Sequence, residues 1–181
     1  NMSGAIHISK YLKKKNFSKK ICFVGSHVQA LPKETLQKEK SIDFVFTNEG
    51  VYALRNVLKL KNFETENLKN IKGLAYRNEN NEIIINLPEK VVPTSRMDID
   101  LPGYAWDLLP YKEKPLDLYR AHFWHAEFKH DLRTPFAAIY TSLGCVFGCE
   151  FCMINILNRT DDSENIHAGN SRVMRYWSTE W

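Results

Sequence analysis

The sequence predicts an α/β fold in which a parallel sheet is covered by helices on both faces. Three observations predict it. Amphipathic stretches alternate with short apolar runs across residues 6–62, and that alternation builds parallel strands joined by helical crossovers. The first two apolar runs, Ile21-Cys22-Phe23-Val24 and Ile42-Asp43-Phe44-Val45-Phe46, end in the turns Gly25-Ser26-His27 and Asn48-Glu49-Gly50. In open parallel sheets such carboxyl ends are where ligands bind. A further apolar run beginning at Ala138 leads straight into a loop that holds three of the four cysteines.

Composition narrows the field. The chain has 181 residues, enough for one ordinary domain or for pieces of two. With 44% hydrophobic and 25% charged residues it has globular composition. The net charge of +4 is mild and, apart from one N-terminal lysine run, dispersed, so no nucleic-acid partner is expected. No apolar run reaches the ~18 residues of a membrane span, and no apolar signal core opens the chain, so a cytoplasmic protein without a membrane partner is expected. The chain starts Asn1-Met2-Ser3 and stops at Ser178-Thr179-Glu180-Trp181, where a helix would begin. A fragment of a longer protein is the expectation.

In chain order, residues 6–17 place Ile8, Tyr11 and Leu12 at helical spacing with Lys10, Lys13, Lys14 and Lys15 on the opposite, solvated face. Ile21–Val24 follows as a buried strand, with Cys22 expected in the core. Leu31-Pro32-Lys33-Glu34-Thr35-Leu36 opens a short helix with proline in its first turn. Ile42–Phe46 is the second strand. Residues 51–62 form a helix whose inner face carries Ala53, Leu54, Val57 and Leu58. Gly73–Arg77 and Glu82–Asn86 flank the turn Asn78-Glu79-Asn80-Asn81, a hairpin extending the sheet edge. Five of the seven prolines fall between Pro88 and Pro115, which marks an extended connector. Residues 116–136 carry His122, His125 and His130 among aromatics, but no carboxylate or cysteine spacing completes a metal site there. After the cysteines, residues 155–172 are polar and irregular, His167 reads as a solvated loop histidine, and Val173–Trp177 forms the next strand.

The chemistry sits in Cys145-Val146-Phe147-Gly148-Cys149-Glu150-Phe151-Cys152. Three thiolates in one loop suit a single metal centre, because disulfide pairing would leave an odd cysteine. Structural zinc is one reading, although it normally takes four ligands from two separated pairs. A four-iron cluster is the other, and three thiolates leave one iron open to a ligand that is not protein. The spacing Cys-x3-Cys-x-aromatic-Cys resembles the signature of the radical S-adenosylmethionine (SAM) superfamily. The resemblance implies that Cys145, Cys149 and Cys152 hold a 4Fe-4S cluster, with Phe151 at the aromatic position. It also implies that SAM chelates the open iron and is reductively cleaved there.

The first half is similar to the cobalamin-binding domain that precedes the barrel in one class of that superfamily. His27 with Ala30-Leu31-Pro32 follows its Gly-Gly-Pro-His and Ala-Leu-Pro pattern, and Glu49-Gly50 follows its Gly-Glu-Gly. Ser26 stands where proline is usual and Asn48 where the first glycine is usual. The Gly73-Leu74-Ala75-Tyr76-Arg77 hairpin and the Ala105-Trp106-Asp107-Leu108-Leu109-Pro110 stretch are also similar. By this resemblance Gly25, Ser26, His27, Glu49 and Gly50 approach a cobalamin. The implied domains are the C-terminal part of a Rossmann-like cobalamin domain over 1–87, a connector over 88–135, and the first strands of a radical SAM partial TIM barrel over 136–181. The implied activity is that of a cobalamin-dependent radical SAM enzyme, a methyltransferase in many relatives. A small-molecule substrate and a flavodoxin- or ferredoxin-like electron donor come with it. The alternatives are a radical SAM enzyme whose Rossmann-like domain lacks cobalamin, and a non-catalytic zinc module.

Overall fold

The computed structural model of the chain describes residues 2–15, 19–101, 103–108, 113, 142–143 and 172–173. They divide into two compact units with the boundary between Pro93 and Thr94. The first unit runs α1 (Met2–Lys14), β1 (Cys22–Phe23), α2 (Ser26–Ala30), α3 (Pro32–Lys38), β2 (Phe44–Phe46), α4 (Val51–Leu58), α5 (Thr65–Leu68), β3 (Leu74–Arg77) and β4 (Ile83–Ile85). No described helix is long and apolar enough to cross a membrane.

The four strands form one sheet in chain order. β1 and β2 are parallel, with Cys22 opposite Phe44 and Phe23 opposite Val45. β2–β3 and β3–β4 are antiparallel. The expected α/β sheet with an edge hairpin is therefore present, as a mixed sheet in which the hairpin supplies half the strands. The hairpin closes as its asparagines dictate. Asn78 accepts from the Glu82 amide at 2.8 Å through Oδ1, and Asn81 takes a φ of 62°, which asparagine tolerates better than most residues.

Strand alternation divides the core in two. Phe44, Phe46, Leu74 and Tyr76 point to one face, where they meet Ala53 and Val57 of α4, Leu68 of α5 and Ile71. Val45 and Ala75 point to the other, where they meet Val28, Leu36 and Ile42. The uninterrupted Phe44-Val45-Phe46 run is thus explained, because a strand covered on both faces needs apolar residues at every position. Leu36 has no solvent exposure, so Leu36→Ala is expected to destabilise the unit by roughly 2–5 kcal/mol in urea unfolding. Arg77 fixes the end of α3 from the sheet. Its Nη1 donates to the Leu36 carbonyl at 2.6 Å, and its Nη2 to the carbonyls of Lys40, at 3.3 Å, and Ile42.

Four expectations are corrected. α1 does not bury Ile8 and Tyr11, which are 60% and 55% exposed; it buries Ser9, whose hydroxyl meets that of Ser41 at 2.8 Å. Two lysines of the solvated face are also tied down, Lys13 to Asp43 at 2.7 Å and Lys10 to Glu39 at 2.8 Å, while Lys14 and Lys15 are exposed as expected. α4 ends at Leu58 and turns Tyr52, Ala53 and Val57 inward, leaving Leu58 75% exposed and Leu54 also outside. Cys22 is exposed rather than in the core, because β1 pairs only with β2 and is an edge strand among the described residues.

Short helices α2 and α5 escaped the sequence reading, since neither is long enough to show a period. α5 is held from outside. The Glu79 carboxylate in the hairpin turn accepts the Thr65 amide at 3.1 Å and also the Thr65 hydroxyl. The Thr65 hydroxyl bond, with backbone amides, holds the Glu79 carboxyl below its usual range. A carboxyl depressed on folding stabilises above its unfolded pKa, and the contribution fades as pH falls through the folded value. Amide protection in α5 is expected to drop on acidification through the carboxylate range. Glu79→Gln should flatten that response in hydrogen exchange.

In the second unit, Thr94–Arg96 and Trp106–Leu108 are 3-10 turns around α6 (Met97–Asp100). Arg96 braces α6 by donating from Nε and Nη2 to the two Asp100 oxygens, each at 3.1 Å. Two-residue strands β5 (Ser142–Leu143) and β6 (Arg172–Val173) pair antiparallel. Neighbouring strands of a barrel would run parallel. The antiparallel ladder needs no helical crossover to form.

Candidate functional site

The two glycine turns lie side by side at the carboxyl ends of β1 and β2. Gly25 ends β1 with φ 121° and ψ 168°, a conformation open essentially to glycine. A Cβ there would meet nothing within 4 Å, so the backbone at Gly25 borders open space. α2 starts immediately after it and is stopped at Leu31 by Pro32, which disfavours helical geometry in the residue before it and then starts α3. Gly50 caps α4 from the left-handed region, φ 84°, and its carbonyl accepts the Leu54 amide at 2.8 Å. A Cβ on Gly50 would sit 3.3 Å from Val24 and 3.4 Å from Phe46, which places the second turn against the end of the first strand.

Of the residues expected at this site, Gly25 and His27 are exposed, Ser26 and Glu49 are half-buried and Gly50 is buried. The Glu49 carboxylate accepts the Val92 amide at 2.8 Å, so it faces the chain just before the unit boundary.

Sequence reasoning missed the groups that hold the turns together. Gln29, 2% exposed, donates its amide from α2 to the Asn48 carbonyl. Asn48, 1% exposed, accepts the Gly50 amide at 3.3 Å and donates to the Glu89 carbonyl. Glu89 in turn accepts from Asn56 of α4 at 3.4 Å and from the Lys90 amide at 2.9 Å. Buried polar side chains are costly unless bonded, and here each secures a separate segment. Gln29 Oε1 is the exception, buried with no partner. The available signal was a lone amide inside the apolar stretch Val28-Gln29-Ala30-Leu31.

Cys22 lies near this edge. The residue keeps an exposed surface, but packing around its sulfur withdraws the thiol from water, and this desolvation, with the neighbouring Asp43, pushes it up to about 11 against a smaller opposing effect of Lys20. Among the described residues no three His, Cys, Asp or Glu side chains converge on a metal position. Cys145, Cys149, Cys152 and Phe151, like His122, His125, His130 and His167, lie outside the described residues.

No family model matches the chain. It is 30% identical, over 83% of its length, to a protein of Pyrococcus horikoshii named an uncharacterized methyltransferase. The chain spans 28% of that relative's length. Among solved structures it is similar to the cobalamin-dependent S-adenosylmethionine radical enzyme OxsB, determined with aqua-cobalamin and S-adenosylmethionine bound. That similarity has 24% identity and a TM-score of 0.37, over 46% of this chain and 11% of that one.

Proposed function

We propose that the chain is part of a cobalamin-dependent radical SAM enzyme acting on a small molecule, with methyl transfer as its reaction. The observation that carries the proposal is the spacing Cys145-x3-Cys149-x-Phe151-Cys152. Three thiols within eight positions suit a cluster with an open iron, and they lack the fourth ligand that structural zinc takes. The similarity to a protein named an uncharacterized methyltransferase supports the choice of reaction.

In this reading residues 1–87 belong to a Rossmann-like corrinoid domain, 88–135 to a connector and 136–181 to the start of the radical SAM domain. Cys145, Cys149 and Cys152 would hold the cluster, with Phe151 as the aromatic residue of the motif. The turns fit a corrinoid in one observed respect: Gly25 borders open space, so backbone without Cβ is offered there to a large ligand. Gly25, Ser26 and His27 line that approach, while Gly50 is buried against Val24 and Phe46 and, with Glu49, fixes the second turn beside it. Bound cluster, SAM and cobalamin supply one-electron cleavage of the sulfonium and a methyl carrier, while the protein orients them and excludes water. A flavodoxin- or ferredoxin-like protein donates the electron.

Anaerobic iron-sulfur reconstitution of the full chain, followed by electron paramagnetic resonance after dithionite reduction, tests this. A four-iron signal that shifts when SAM is added is expected, together with a corrin absorption band after incubation with hydroxocobalamin. Stoichiometric zinc without iron would overturn the radical reading. Iron without a corrin band would favour a radical SAM enzyme lacking cobalamin, which the buried Asn48 in place of a glycine also suggests.

A further inference from the structure

The last residues of the first unit run directly beneath the Asn48-Glu49-Gly50 turn. Val91 and Val92 are buried, and the Leu87 carbonyl accepts the Gly73 amide at 2.7 Å. Gly73 is where the fit is tightest, because a Cβ on it would lie 2.9 Å from Glu89 Cβ and 3.2 Å from Asn48 Oδ1. Two side chains of the turn reach down to this segment: Asn48 to the Glu89 carbonyl and Glu49 to the Val92 amide. Asn48 also holds the turn's own Gly50 amide, and Gln29 brings the Asn48 carbonyl to α2.

We propose that Asn48 and Glu49 are positioning residues that latch segment 89–92 to the cofactor-facing turn, so that the turn and the chain leading to Pro93 open and close as one body. The inference rests on the proposed corrinoid reading for its purpose, and on the hydrogen bonds alone for its existence. Each bond joins the two segments directly, the Asn48 bond buried and the Glu49 bond partly so, so removing either one should loosen both ends of it. An occupant of the turn is then felt in the backbone immediately before the unit boundary.

Hydrogen exchange by mass spectrometry on the full chain tests this. Asn48→Asp keeps an acceptor for the Gly50 amide and loses the donor to Glu89, and Glu49→Ala removes the acceptor for Val92. Each is expected to speed exchange about tenfold in both 47–50 and 89–92, leaving the hairpin amides of 74–85 at wild-type rates. Glu49→Gln, which retains an acceptor oxygen, should stay near wild type. Acceleration confined to one segment, or spread evenly over the unit, would overturn the latch. Hydroxocobalamin added to the wild type separates the two proposals. Protection of both segments supports both, and protection of 47–50 alone sinks the latch. Absence of binding sinks the corrinoid reading and leaves the variants to decide the latch.

Discussion

Cys149→Ala is expected to reduce the reconstituted protein from about four irons per chain to background, with loss of the reduced-cluster resonance. Cys145→Ala and Cys152→Ala should do the same, since with three protein ligands to one cluster none is redundant. The informative control is Cys22→Ala. Cys22 lies far in sequence from the three-cysteine loop, and among the described residues no three His, Cys, Asp or Glu side chains gather at one metal position, so its loss should leave iron content and the SAM-induced shift unchanged. Iron loss in the Cys22 variant would mean that the fourth cysteine enters the site and that the open iron does not exist. Zinc retained by the three alanine variants would mean that the loop is no metal site.

Gly73→Ala should be the most damaging single-methyl change in the first unit. At φ 73° an alanine is strained in its own backbone. Its methyl would also lie 2.9 Å from Glu89 Cβ and 3.3 Å from the Glu89 nitrogen. The nearest obstacle is a Cβ, followed by Asn48 Oδ1 at 3.2 Å and the main-chain nitrogen of Glu89, so relief requires segment 87–92 to move and not a side-chain end alone. Strain and overpacking together suggest a loss of roughly 2–5 kcal/mol, read as a lower urea midpoint with an unchanged slope. Gly25→Ala would bring the same kind of backbone strain into open space, and its smaller loss would separate the two contributions.

What the sequence made legible follows from which forces leave a pattern. The apolar strand through Phe44, Val45 and Phe46, and the asparagine turn at 78–81, depend on neighbouring residues, and both were read correctly. α1 misled because apolar spacing marks Ile8 and Tyr11, whereas the buried position is Ser9, satisfied by Ser41 from a distant segment. Leu54 and Leu58 misled likewise, since an apolar residue on a helix needs an opposing surface to be buried. Asn48 read as a departure from a glycine pattern, yet it is the centre of the polar network. Its partners Gln29, Gly50 and Glu89 come from three segments, and no local window contains all of them. The cysteine loop is the reverse case, carried by spacing alone.

The mixed sheet also predicts an order of assembly. β3 and β4 are joined by residues 78–82, whereas residues 24–43, with two helices, separate β1 from its parallel partner. Closing the short loop costs less chain entropy, and hairpins form in ~1–10 μs. The antiparallel half is therefore expected to nucleate, with the strand that carries the Gly25 turn docking last. Ile84→Val should slow refolding, while Phe23→Leu should chiefly hasten unfolding. The edge that carries the Gly25 turn is then expected to be the last part of the unit to form and the first to be lost.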